Sequence, residues 1–203
     1  MDKHDKYEVV KQAWFEINEH LRNNKQDYIE YLKFSSKMYK QPYSDAVLVF
    51  QQDRNATKIA EYKKWGRLGR YVRRGSHGVA VFGKNHTCRY LYDVTQTGGK
   101  ELPEMWTLTD RNTTELLNTL NNRYNINAGS VKECIEAMTA NSINSAPIAE
   151  SVQNAISQMG LDTKQAEVYR HSLDSVVQFV VSQRCNLSGK IDLHADVDVS
   201  ALD

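Results

Sequence analysis

A block of positive charge near the middle of the chain is the feature that most limits how the chain can fold. Residues 54–89 read RNATKIAEYKKWGRLGRYVRRGSHGVAVFGKNHTCR and contain ten Lys or Arg residues against one acid, Glu61, a net charge of +9. Lys and Arg are almost never fully buried unless they are paired. The whole chain carries only +1, because residues 1–53 and 90–203 contribute −1 and −7. The near-neutral total therefore hides a local positive pole, which is typical of a protein with a polyanionic partner.

Length and composition indicate a globular protein that can bury a core, since 40% of the 203 residues are hydrophobic and 25% are charged. No apolar run approaches the roughly 20 residues that a membrane helix needs, and the N-terminus is polar. We therefore expect a cytoplasmic location and no membrane partner. Three distant cysteines, Cys88, Cys134 and Cys185, form no CxxC pair and predict reduced structural thiols.

Enzyme signatures are mostly absent from the sequence. It contains no GxxxxGK[ST], GxSxG, HExxH or GxGxxG motif, and its six histidines have no ligand-like pairing. The segment HADVD, residues 194–198, lacks the spacing of a calcium loop and is interpreted as an acidic tail. We expect no catalysis, no metal and no cofactor.

Apolar side chains recur every three or four residues near the N-terminus and predict helices over about 7–21 and 26–38. Pro42 ends the second helix. Residues 46–50, AVLVF, follow a cap at Ser44 or Asp45 and predict a buried third helix, with a buried strand as the alternative.

The basic block itself predicts a change from helix to strand. A short helix is expected over TKIAEYKKW to about Leu68, followed by an extended arm and turn, RYVRRGSHG. There Gly75 and Gly78 would let backbone amides approach an anion. Residues 79–82 and 88–94 have strand composition and predict a hairpin with one buried and one polar face. Residues 95–103 have the composition of a loop.

Helical periodicity returns over about 110–124, 130–140, 146–159 and 163–185. The last helix is expected to bury six apolar side chains: Val168, Leu173, Val176, Val177, Val180 and Val181. The predicted fold class is α+β, mostly helical, with a small antiparallel sheet (hairpin about 78–94) packed on the N-terminal helices and a helical C-terminal part. We expect a nucleic-acid-binding domain over 1–108. Residues 109–203 are expected to be a helical extension, separate or part of the same globule, that leads into a longer protein.

The residues alone leave two interpretations of the basic block open. In the first, Trp65 and the cations around it contact nucleic acid, because arginine can hold a phosphate with two parallel hydrogen bonds and tryptophan offers a stacking face. In the second, the block is a solvated positive face that contrasts with the acidic C-terminal half or pairs with it. A lone tryptophan is more commonly a core residue.

The segment WGRLGRYVRRGSHGVAVF, preceded by ATKIAEYKK and followed by YLYDVTQTGG, resembles the N-terminal domain of ArdC-type antirestriction proteins, which occur in large proteins of conjugative elements. The resemblance covers about residues 28–100. The positions that carry it are Trp65, Leu68, Gly69, Val72, Arg73, Arg74, Gly75, Gly78, Asp93, Gln96 and Thr97. It implies single-stranded DNA binding in conjugative transfer or antirestriction. The metalloprotease-like C-terminal domain of such proteins is not implied, because this chain lacks HExxH.

We therefore expect weakly sequence-selective binding of single-stranded DNA. Cations would neutralise phosphates, Trp65, Tyr71 and Tyr90 would stack on bases, and glycines would allow close approach. Apart from Tyr90, the expected binding residues are Lys63, Lys64, Trp65, Arg67, Arg70, Tyr71, Arg73, Arg74, Gly75, Gly78, Lys84 and Arg89. The alternative is a protein-interaction module that inhibits a restriction or defence enzyme by direct contact. Restriction or conjugation proteins are accordingly the other expected partners.

Overall fold

The computed structural model describes residues 3–38, 40–103 and 109–187. Over these ranges the chain is mostly helical, with eight α-helices, a three-stranded antiparallel sheet and a separate two-stranded ribbon. The predicted α+β class is confirmed. The chain divides into two compact units, Met1–Met105 and Trp106–Asp203. Our boundary after residue 108 stays a prediction, because residues 104–108 lie outside the described ranges.

Three helices open the N-terminal unit: α1 (Lys3–Asn23), α2 (Lys25–Lys37) and α3 (Tyr43–Gln52). Asn24 caps α2, since its side-chain oxygen accepts a hydrogen bond from the Asp27 N–H at 3.0 Å. The helical interpretation of residues 46–50 is confirmed, and all five are buried. The predicted cap was wrong, because Pro42 occupies the N-cap position and Asp45 lies buried inside the helix.

The middle of the unit contains β1 (Ile59–Glu61), α4 (Tyr62–Arg67), β2 (Arg70–Val72), β3 (Val79–Phe82), β4 (Cys88–Asp93) and β5 (Thr97–Gly99). One sheet has the order β1-β4-β3, and β2 pairs with β5 in the ribbon, all antiparallel. The predicted hairpin corresponds to β3 and β4. Residues 59–61 form a strand rather than the start of a helix, and β5 lies in the segment that was expected to be a loop.

The sheet packs on the N-terminal helices through β3, which contacts α3 and α1. Val81 and Leu91 are buried on the inner face of the sheet. The outer edge of β3 is covered by Gln52, whose amide donates to the Ala80 carbonyl at 3.0 Å and accepts from the Ala80 N–H at 3.1 Å. This side chain satisfies the backbone groups that an edge strand would otherwise expose.

An ion pair between the half-buried Arg89 and the buried Asp45 joins α3 to β4. The Arg89 guanidinium donates to the carboxylate of Asp45, which is only 1% exposed, and to Glu61 at 3.4 Å. Its Nε donates to the Phe82 carbonyl at 3.0 Å. Burial raises the pKa of the Asp45 carboxyl, while the hydrogen bond and the charge of Arg89 oppose the rise. The free-energy cost of burying the Asp45 charge is thus offset by Arg89.

The C-terminal unit consists of α5 (Asp110–Tyr124), α6 (Val131–Ile143), α7 (Ala146–Met159) and α8 (Thr163–Arg184). The predicted apolar face of α8 was wrong, because its valines are only half-buried. The buried positions of α8 are Ala166, Tyr169, Ser172, Ser175, Phe179 and Ser182. Four of these six residues are small, which suits close contact between α8 and α6.

The Arg89–Asp45 pair yields a test of stability. Replacing Arg89 with alanine leaves a buried carboxylate without its cation, so we expect the free energy of unfolding to fall by about 3 kcal/mol in urea titrations. Lys84→Ala, an exposed cation on the neighbouring turn, should change it by less than about 0.5 kcal/mol. The double variant Asp45→Leu/Arg89→Met should recover most of the loss. An Arg89→Ala protein as stable as the parent would contradict this role.

Candidate nucleic-acid interface

No Asp or Glu occurs between Glu61 and Asp93, a segment that includes α4, β2 and the β3–β4 hairpin. Six of its cations are exposed: Lys63, Lys64, Arg67, Arg73, Arg74 and Lys84. Two other cations of the basic block, Arg54 and Arg89, are paired by acids of the N-terminal unit. Arg54 contacts Asp27 at 2.8 Å and Glu30 at 3.2 Å. The segment after Glu61 therefore retains most of the uncompensated charge of the block.

Trp65 anchors α4 to the sheet. Its side chain is 2% exposed, and its Nε1 donates to the Tyr92 carbonyl at 2.9 Å. The expectation that Trp65 stacks on a base is therefore corrected, because neither ring face is open to solvent. With Trp65 turned inward, Lys63 and Arg67 are left exposed on the short helix.

Arg70 fastens the β2–β5 ribbon. Its Nε donates to the Thr97 hydroxyl at 2.8 Å, and its terminal nitrogens donate to the carbonyls of Thr97 and Lys100. The expected role of Arg70 in phosphate binding is corrected, because these backbone and hydroxyl acceptors occupy its guanidinium. The expected role of Arg89 in phosphate binding is corrected for the same reason, since its guanidinium donates to Asp45 and to the Phe82 carbonyl.

Tyr71 lies on the ribbon opposite Gly98 and is 63% exposed. A Cβ atom at Gly98 would lie 2.8 Å from the Tyr71 hydroxyl oxygen and 2.9 Å from its Cζ. The tyrosine ring therefore covers the glycine backbone, an arrangement that stabilises a glycine in a strand. The ring is held at the surface, as its expected stacking role requires.

The arm of residues 73–78 connects the ribbon to β3 and is fixed by the backbone of Gln96. The Gln96 carbonyl accepts from the Arg73 N–H at 2.9 Å and from the Ser76 hydroxyl at 3.3 Å. Gly75 has φ +84°, a conformation that favours glycine. The Arg73 guanidinium also donates to the Thr95 carbonyl at 3.3 Å, and Arg74 is exposed.

Gly78 has a packing role. A Cβ atom there would lie 2.9 Å from Cζ of Tyr92 and 3.0 Å from Cβ of Tyr90. The missing side chain thus makes room for two tyrosines of β4, while the expectation that an anion approaches this glycine stays a prediction. Gly75, with no atom within 4 Å of its Cβ position, keeps the open surroundings that such an approach needs.

The carboxylate of Asp93 connects the arm to the sheet. It accepts hydrogen bonds from the N–H groups of Thr57 at 2.7 Å, Lys58 at 3.0 Å and Thr95 at 2.9 Å, and from the Thr95 hydroxyl at 2.7 Å. The Asp93 N–H donates to the Gln96 side chain, whose amide donates to the His77 carbonyl at 2.8 Å. Burial acts to raise the pKa of Asp93, but these hydrogen bonds together lower it below its ordinary value.

The outer face of the sheet is aromatic, which corrects the expectation of a polar face. Arg89 and Asp93 point inward with Leu91, while Tyr90 is 39% exposed on the other side. Tyr62 is 62% exposed and meets Tyr92 edge-on, with ring centroids 6.5 Å apart. Tyr62 is not among the residues predicted from the sequence, although its place directly before Lys63 is a signal for it.

Two further cations, Lys100 and Lys84, lie at different distances from the exposed cations of α4 and the arm. Lys100 follows the ribbon and was missed by sequence analysis; its Cδ lies 2.9 Å from the Cβ position of Gly69, beside the end of α4. Lys84 lies in the turn between β3 and β4, about 17 Å along β4 from Asp93. That turn packs against α1, where the rings of Tyr7 and His86 are 5.1 Å apart. Lys84 is thus separated from the predicted cations of α4, the ribbon and the arm.

Within the described ranges, no cluster of three His, Cys, Asp or Glu side chains is arranged to hold a metal ion. The helices that the structure describes include none with the length and apolar character needed to cross a membrane. Residues 194–198, interpreted as an acidic tail, lie outside the described ranges.

Comparison of the chain with known protein families, curated proteins and solved structures finds no match. The N-terminal unit is therefore characterised by its own architecture. It is an α+β unit in which a short helix, a two-stranded ribbon and a glycine-containing arm carry exposed cations and tyrosines.

The Asp93 site makes stability depend on pH. Its folded-state pKa lies below the ordinary value of 3.8, so its stabilisation is complete well above that value and is lost as the pH falls through the folded-state pKa. At pH 7, Asp93→Asn should lower the free energy of unfolding by about 2 kcal/mol, because an amide cannot accept all four hydrogen bonds.

Urea unfolding of the parent and of Asp93→Asn from pH 7 to pH 2.5 tests this dependence of stability on pH. The difference between them should narrow below about pH 4, because only the parent takes up a proton at this position. The other carboxyl groups titrate in both proteins and cancel in the difference. A gap that stays constant with pH would contradict the ionised, hydrogen-bonded state of Asp93.

Proposed function

We propose that the N-terminal unit binds single-stranded DNA, with weak sequence selectivity and no catalysis of its own. The binding site is the basic-aromatic surface, which we define as Tyr62, Lys63, Lys64, Arg67, Tyr71, Arg73, Arg74, Tyr90 and Lys100. One observation carries the proposal: exposed cations and exposed tyrosine rings occur together on a segment that contains no acid between Glu61 and Asp93.

The cations of this surface differ from the cations that stabilise the fold in whether their side chains already have partners. Among the described residues, the side chains of Lys63, Arg67 and Arg74 make no hydrogen bond or ion pair, whereas the guanidinium groups of Arg70 and Arg89 are occupied. An unoccupied guanidinium can give parallel hydrogen bonds to a phosphate, and a lysine adds a point charge. This division supports a polyanionic ligand.

The tyrosines favour a single strand over a duplex. Stacking on an aromatic ring requires an unpaired base, and every base has a face that can stack. The rings of Tyr62 and Tyr71 are more than half exposed, and the Tyr71 ring packs against the backbone of Gly98. Stacking without hydrogen bonds to base edges predicts weak selectivity among sequences.

The resemblance to ArdC-type N-terminal domains supports the same function and provides its setting. We propose that the protein acts in the cytoplasm on the strand that moves during conjugative transfer or that must be protected from restriction. The resemblance runs through α4, the ribbon and the arm, which also carry the basic-aromatic surface.

Fluorescence anisotropy with a labelled oligothymidine of about 30 nucleotides tests the proposal. If about five phosphates are neutralised, the slope of log affinity against log salt should be about −3.5, and affinity should fall about 100-fold between 50 and 200 mM salt. A matched duplex should not displace the oligothymidine. A flat salt response, or equal competition by the duplex, would contradict the proposal.

Two charge-removal variants distinguish binding by the basic-aromatic surface from an effect of the net charge of the protein. Arg67→Ala/Arg74→Ala should weaken oligothymidine binding about tenfold, or about 1.4 kcal/mol, and reduce the salt slope by about 1.4. The control Lys11→Ala/Lys84→Ala removes the same charge from α1 and the hairpin turn, and should change affinity less than about twofold. Equal losses in the two variants would show that net charge, rather than this surface, drives binding.

A further inference from the structure

A groove of about 320 Å³ lies next to the basic-aromatic surface and is not explained by it. Lys64 and Leu68, four residues apart, line it from α4 and its C-cap, whereas Lys63 and Arg67 do not. Its volume lies at the lower end of the range of about 300 to 1,000 Å³ that is usual for ligand pockets. The floor consists of buried apolar side chains: Met38, Ile59, Ala60 and Trp65.

The rim of the groove is positively charged. Lys37 from the end of α2, Lys58 before β1 and Lys64 from α4 line it together with Lys40, and no acid among the residues that the structure describes lines it. The Lys58 backbone is held by the Asp93 carboxylate at 3.0 Å, which fixes where its side chain begins. An apolar floor inside a ring of lysines favours a ligand with an apolar centre and anionic flanks.

The floor offers few polar partners to a ligand. The Trp65 Nε1 donates to the Tyr92 carbonyl at 2.9 Å, and the Gln41 amide donates to the Ile59 carbonyl at 3.3 Å. A nucleobase placed on this floor would leave its polar edges without hydrogen bonds, which costs free energy. An aliphatic or aromatic side chain has no such requirement.

We propose that this groove binds a short acidic peptide segment of a partner protein. One large apolar side chain of the peptide lies on the floor, and Asp or Glu residues on either side of it contact Lys37, Lys58 and Lys64. The charge complementarity between a lysine rim and carboxylates determines the kind of partner, and the apolar floor provides the anchor. The peptide site does not require DNA binding, although Lys64 belongs both to the groove rim and to the basic-aromatic surface.

Selection from a displayed library of random 12-residue peptides on the whole protein tests this inference. Enriched peptides should carry a large apolar residue flanked by Asp or Glu. Synthetic fluorescein-labelled copies are then titrated with the parent and with two variants. Leu68→Ala should weaken binding about fivefold by removing part of the apolar wall, and Lys37→Glu at least about tenfold by reversing a rim charge.

Lys11→Glu, an equal charge reversal on α1, is the control and should change peptide affinity less than about twofold. Circular dichroism confirms that each variant is folded; Leu68 and Lys37 are exposed enough that both should be. The proposal is overturned if no acidic, apolar-centred peptides are enriched, or if both groove variants bind them like the parent. It is also overturned if Leu68→Ala weakens oligothymidine binding as much as Arg67→Ala/Arg74→Ala, since the groove would then belong to the nucleic-acid surface.

Discussion

The hydrogen-bonded carboxylate of Asp93 is the interaction on which the arrangement of the N-terminal unit most depends. It joins the backbone before β1 to the end of β4, and through Gln96 it reaches the arm at His77. Because four donors converge on one buried anion, the group is satisfied only when these segments are all in place. The arm that presents Arg73 and Arg74 is therefore positioned by a core residue at its base.

The arginines of the basic block show how one residue type serves two purposes. Arg70 and Arg89 donate to carbonyl, hydroxyl and carboxylate acceptors of their own unit, while Arg67 and Arg74 remain exposed. Arg89 neutralises the buried Asp45 and Arg70 closes the ribbon, whereas the exposed arginines create a positive potential at the surface. Counting charges along the sequence cannot separate these groups, because the acceptors are distant in the chain.

Five of the eleven positions that carry the resemblance to ArdC-type domains have structural roles in this chain. Several of them pack, cap or hydrogen-bond within the unit: Trp65, Gly78, Asp93, Gln96 and Thr97. The exposed residues Tyr62, Lys63 and Arg67 lie around these positions.

Periodicity predicted the long helices and the hairpin, because an apolar face repeated over several turns is a strong local signal. It missed β1 and β5, which are three residues long and exist through pairing with β4 and β2. The alternation in β4 indicated two faces but not which one is inside. Arg89 and Asp93 lie on the inner face because partners distant in the chain compensate their charges, and the local sequence pattern does not show those partners.

Photo-cross-linking of a 5-bromodeoxyuridine-substituted oligothymidine, followed by mass spectrometry of the adducts, tests the central claim most directly. The claim is that exposed tyrosines of the basic-aromatic surface stack on bases while Trp65 stays in the core. The account predicts adducts at Tyr62, Tyr71 or Tyr90. Adducts at Trp65, adducts confined to the C-terminal unit around Tyr124, or no adduct at saturating oligothymidine would contradict it.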